Sequence, residues 1–166
     1  MKNILRIAAF ILLVAAAAMA QTEPAAEPQI GDEITGMYSF VREGEFVEIE
    51  VDNGKVTGVV SRFKDDDPEK AEFVDQFFDE AKLEGTRLSF RTKPAGGVWF
   101  EFSGVVERGA GKTPSDEGYW NIRGTLTERR TSNDGNVTQK TAELTLRSFP
   151  QEQEPAAPGP GSKEKQ

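Results

Sequence analysis

Hydrophobic and polar positions alternate with period two over most of this chain. Val47, Ile49 and Val51 alternate with Glu48, Glu50 and Asp52, as in a strand with one buried face. Asn53-Gly54 follows, a dipeptide suited to a type I′ hairpin turn because both residues tolerate positive φ. Pairing outward from that turn sets Asp52 against Lys55, Val51 against Val56, Ile49 against Gly58 and Val47 against Val60. Apolar then meets apolar on one face, and opposite charges meet at the turn.

The same alternation predicts strands over Ile34–Arg42, Thr86–Lys93, Val98–Arg108, Tyr119–Arg130 and Val137–Phe149, the last after the turn signal Asn133-Asp134-Gly135. These make about seven antiparallel strands. One segment departs from period two. Asp67 can cap a helix, Pro68 suits its first position, and Val74, Phe77, Phe78 and Ala81 recur at helical spacing before Gly85. The pattern predicts one amphipathic helix after the third strand.

Gly36, Gly58, Gly104 and Gly124 share the parity of the apolar residues on their strands. Glycines on an inner face suit a strongly curved sheet, so the expected fold is mainly β. It is an up-and-down antiparallel sheet closed, or nearly closed, into a small barrel. The succession Gly-x-Tyr-x-Phe, Asn-Gly-Lys-Val-Thr-Gly-Val-Val, Leu-Glu-Gly-Thr-Arg-Leu-Ser-Phe, Phe-Ser-Gly-Val-Val-Glu and Ile-Arg-Gly-Thr-Leu-Thr resembles secreted bacterial lipocalin-like (calycin-type) β-barrel domains. The resemblance spans Ile34 to about Phe149 and implies a barrel that holds a small apolar ligand. Tyr38 stands where lipocalins carry the tryptophan of their early Gly-x-Trp motif, and no disulfide is possible.

The ends of the chain have another character. Lys2 and Arg6 precede an apolar run from Ile7 to Ala18, and Ala18-Met19-Ala20 offers small residues to a signal peptidase. The run is shorter than the roughly 20 residues of a spanning helix, so residues 1–20 read as a cleaved signal peptide, with no stable membrane insertion. Residues 21–30 read as a Pro- and Glu-rich disordered linker, 31–149 as the barrel domain, and 150–166 as a disordered tail. The protein is expected to be exported, periplasmic or extracellular.

Composition narrows the chemistry. The formal net charge is -8, with the basic leader included, which disfavours nucleic acid as a partner. There is no cysteine and no histidine. Ser-His-Asp triads, imidazole ligands, Cys/His zinc and N-terminal lipidation are thereby excluded. Asp65-Asp66-Asp67 lacks the spaced ligands of a calcium loop. Glu48 and Glu50 share a strand face but belong to the solvent side, where a catalytic acid would lack the burial it needs. Asn136-Val137-Thr138 matches a glycosylation sequon, which matters only in a eukaryotic secretory pathway; the leader looks bacterial.

No enzyme, cofactor or metal site is expected. Tyr38, Phe40, Phe90, Phe100, Phe102, Trp120 and Ile122 fall on the inner face, either as plain core or as the lining of a ligand pocket. Trp99 has the opposite parity and is the candidate surface contact. Two roles follow: a carrier of a small apolar ligand, or a cell-envelope interaction or structural module with a filled core. In the second role the contact surface is expected around Trp99 and the helix.

Overall fold

A computed structural model describes residues 30–64 and 72–151. Asp65-Asp66-Asp67 and Pro68, the leader, nearly all of the linker and the tail beyond Gln151 lie outside the described residues. A 3₁₀ turn, Asp32–Ile34, leads into eight strands: β1 Gly36–Ser39, β2 Phe46–Asp52, β3 Lys55–Phe63, β4 Phe73–Glu84, β5 Arg87–Thr92, β6 Val98–Arg108, β7 Trp120–Thr131 and β8 Val137–Arg147. Every strand pairs antiparallel with its sequence neighbours, in the order β1 to β8. The sheet curls into an open half-barrel rather than the expected closed or nearly closed barrel.

The β2–β3 hairpin has the register expected from its sequence. Asp52 faces Lys55, Val51 faces Val56, Ile49 faces Gly58 and Val47 faces Val60. Asn53 and Gly54 both take positive φ, 50° and 79°, the geometry that matches the strand twist at a two-residue turn.

The expected helix is not formed where the chain is described: Phe73–Glu84 is strand β4, which brings the expected seven strands to eight. Its buried or half-buried residues are Val74, Gln76, Phe78, Ala81 and Leu83. The register against β5 shifts between Phe78 and Glu80. That bulge inserts one residue, so the inward parity changes from even to odd along the strand. Val74, Phe78 and Ala81 thereby acquire a spacing of four and three within an extended chain. Phe77, which the helical reading placed inside, is 61% exposed. Arg91 of β5 holds the bulge from outside, pairing with Asp79 at 2.7 Å and Glu80 at 2.9 Å.

The concave face carries the core. Tyr38, Phe40, Val47, Ile49, Val60, Leu88, Phe90, Phe100, Phe102, Trp120, Ile122 and Leu146 are all buried there. The Tyr38 hydroxyl donates to the Ile34 carbonyl at 2.6 Å, which fixes the 3₁₀ turn under β1. Burial pushes that phenol far above its ordinary pKa, so it acts only as a neutral donor.

The inward glycines do not leave space. A β-carbon on Gly58 would meet the Phe78 ring, and one on Gly104 would meet the Phe102 ring at 2.7 Å. Phe78 stacks on Phe90 with centroids 4.4 Å apart, and Phe90 on Phe102 at 5.2 Å. Rings thus lie against Gly58 and Gly104, whereas Gly124 packs against the backbone of β6.

Candidate functional site: the open seam between the first and last strands

Closure would require β1 to pair with β8, and it does so at one end only. Tyr38 bridges Ser148, the Phe149 amide donates to the Met37 carbonyl at 2.8 Å, and the Arg147 amide donates to the Ser39 hydroxyl at 3.1 Å. Ser148 is itself fixed to β7, donating its amide to the Trp120 carbonyl at 2.9 Å and accepting from the Trp120 amide on its hydroxyl at 3.1 Å.

Beyond Ser39 no described residue before β2 pairs with β8, and a buried carboxylate ties that turn to β3 instead. Glu45, only 3% exposed, accepts from the Arg42 amide at 3.1 Å and from the Phe63 amide at the end of β3 at 3.1 Å. The Arg42 guanidinium also reaches it at 2.7 Å. These bonds hold the β1–β2 turn against the end of β3. The far end of the seam therefore stays open.

Two adjoining hollows occupy the gap. One of about 250 Å³ lies among Val41, Phe100, Leu126, Ala142 and Leu144, with Lys140, Glu128 and Glu143 at its rim. The other, about 300 Å³, continues it over Phe40, Arg42, Arg62, Arg130 and Lys140. Val41 is 54% exposed beside this gap.

Arg62 occupies an unusual place at the mouth. It is 9% exposed, lies over the Phe100 ring, and donates Nε to Gln76 Oε1 at 2.6 Å and Nη1 to the Phe63 carbonyl at 2.9 Å. Its Nη2 has no hydrogen-bond partner among the described residues. Burial lowers its pKa, opposed by the charges of Glu128 and Glu45. Gln76 completes the buried network, donating Nε2 to the carbonyls of Lys93 at 3.0 Å and Val98 at 2.9 Å. Glu128 is engaged by Arg130 at 2.9 Å, whereas Lys140 has no ion-pair partner among the described residues.

β8 contributes a free edge. The Ser148 amide points to β7, and the β7–β8 register runs without interruption from Arg147 to Val137. Even-numbered residues of β8 therefore direct their backbone groups to β7, and odd-numbered ones direct theirs the other way. The Arg147 amide on Ser39 follows this rule. Thr145, Glu143, Thr141 and Gln139 come next along that edge, and no described strand pairs with them.

The seven residues expected to line the interior are brought together, each buried in one core cluster. Of these, Phe40 and Phe100 line the open end of the seam, where Phe40 meets Phe100 edge-on at 5.3 Å. Trp99 stands on the other face of β6, opposite Arg129, with Nε1 donating to Glu101 at 3.4 Å. The helix expected beside it is β4, so that part of the proposed contact surface is replaced by the outer side of a strand. Glu48 and Glu50 are exposed on β2, and Glu50 accepts from Thr57 at 3.2 Å. The side chain of Asn136 donates to Asp134 in the β7–β8 turn. Among the described residues no group of acidic side chains is placed to hold a metal ion.

Arg62, Lys140 and the β8 edge were not singled out from the sequence. A lone Lys in an alternating strand carries no signal, and the free edge depends on where β1 ends. No family model, curated protein or solved structure matches this chain.

Proposed function

We propose that this protein is an exported, non-catalytic interaction module of the cell envelope, and that it engages its partner at the seam between β1 and β8. The observation that carries this reading is the packing over the inward glycines. The Phe78 and Phe102 rings lie against Gly58 and Gly104, so those two glycines open no room for a ligand over the concave face. On this reading the resemblance to lipocalin-like domains goes no further than an up-and-down curled sheet, and binding takes place at the rim.

Export rests on the leader, and absence of catalysis on the residues at hand. Histidine and cysteine are missing, and Glu45, the buried carboxylate among the described residues, is consumed by Arg42 and Phe63. A general acid or base needs a free position facing a substrate.

The test begins with protein purified from its own host. Intact mass should give a chain starting at Gln21, and native mass spectrometry should give it without a bound small molecule. A photo-crosslinker at Ala142 should then capture one polypeptide species in intact cells, and one at Thr57 should not. A stoichiometric apolar molecule retained through purification would favour the carrier reading, with the mostly apolar hollow at Ala142 and Leu144 as its place.

A further inference from the structure

We infer that the free edge of β8 accepts an extended polypeptide strand from a partner protein, one that carries an apolar side chain followed two residues later by a carboxylate. This rests on the interaction-module reading and names the partner's chemistry.

Three independent features converge on one line. The first is backbone: Gln139, Thr141, Glu143 and Thr145 present amides and carbonyls to the open seam. An added strand would satisfy all four residues, giving affinity through main-chain hydrogen bonds. The second is the apolar hollow, whose walls are Val41, Phe100, Leu126, Ala142 and Leu144. On an added strand, alternate side chains face inward, so the one lying against Ala142 and Leu144 drops into this hollow.

The third is charge. The next inward position lies against Lys140, over the hollow that Arg62 also lines. Both cations lack a carboxylate within ion-pair distance among the described residues, in a protein whose net charge is -8. A glutamate or aspartate at that position would supply it. The result is a charge-assisted pair at a desolvated guanidinium.

The same feature argues against a second copy of this chain as the occupant. Lys140 shares the inward parity of Ala142, Leu144 and Leu146, and a charge pointing inward from an edge discourages pairing with another apolar strand. A partner bearing an acid removes that obstacle.

The probe is a capped eight-residue peptide with threonine on one face and valine, then glutamate, on the other, together with its lysine-for-glutamate counterpart. Titrated into the full mature chain, the glutamate peptide should slow amide exchange at Gln139, Thr141, Glu143 and Thr145 and bind at least tenfold tighter than the lysine peptide. Lys140→Glu should reverse that preference. Thr141→Pro should abolish binding, because it removes an edge donor while sparing the bonds to β7. A glutamate peptide N-methylated on its strand-pairing amides should fail on the unaltered protein, so the result does not depend on that variant's folding.

Equal affinity for the two peptides, or binding without slowed exchange at those four amides, overturns the inference. So does a concentration-dependent dimer in sedimentation that Thr141→Pro dissolves, which would make a second copy the occupant. Polypeptide capture at Ala142 with no peptide pairing would leave the interaction-module reading standing and remove only the strand. Absence of both would remove the two together.

Discussion

Gly104 of β6 stands directly opposite Gly124 of β7, and neither position has room for a β-carbon. One on Gly124 would run into the Ser103 carbonyl and the Gly104 backbone, and one on Gly104 would come within 2.8 Å of the Arg123 carbonyl. The two strands approach closely there, and the Phe102 ring covers the gap. Gly124→Ala should therefore force the strands apart and cost about 1–3 kcal/mol, the usual range for overpacking a tight core. Urea unfolding of the purified variant measures it. A midpoint equal to that of the parent protein would show that the β6–β7 contact yields freely.

Glu45 determines which way the β1–β2 turn leans. Glu45→Ala removes a buried carboxylate and leaves the Phe63 amide without its acceptor. Leaving a buried amide without its acceptor costs about 1–3 kcal/mol. The expected readouts are a lower unfolding midpoint and faster amide exchange at Phe63. Exchange at Arg147 and Phe149, on the zipped end of the seam, should change far less in the folded state.

The Asn53-Gly54 turn has open space around Gly54, so only backbone conformation opposes a side chain there. At φ 79° an L-residue is strained, and Gly54→Ala should cost about 1–2 kcal/mol. Replacing Asn53 as well should add to this. Thermal unfolding by circular dichroism gives the comparison, and an unchanged Tm would refute the role of the positive φ pair.

Asp134 gives a pH dependence with a definite sign. Hydrogen bonds from Ser132, the Asn136 amide and the Asn136 side chain hold its carboxyl below the ordinary value of 3.8. A depressed carboxylate stabilises the fold above its unfolded pKa, and that contribution fades as pH falls through the lower folded value. The β7–β8 turn should thus remain ordered at pH 5 and loosen only in strong acid. NMR titration should find the Asp134 midpoint below 3.8, and Asp134→Asn should remove the acid dependence of the Asn136 amide shift. A midpoint at or above 3.8 would contradict the bonding.

What the sequence determined by itself is local. Val47, Ile49 and Val51 alternate on one strand and Asn53-Gly54 fixes the turn, so the β2–β3 register was legible to the residue. Period two in the other segments marked five further strands, and each inward aromatic on the candidate list is buried. The absence of histidine and cysteine excluded their chemistry before any fold was known.

Tertiary structure decided the rest. A bulge at Asp79 gave Val74, Phe78 and Ala81 a helical spacing inside β4, and periodicity alone cannot tell that shift from a turn of helix. Only pairing with β3 and β5 on both sides settles it, because a strand is stabilised by partners distant in sequence. The glycines announced curvature, but which rings would cover them depended on Phe78 and Phe90 meeting across strands. The open seam was equally hidden. It depends on β1 ending at Ser39 and on Glu45 reaching Phe63, eighteen residues on, and it leaves the far edge of β8 without a described neighbour.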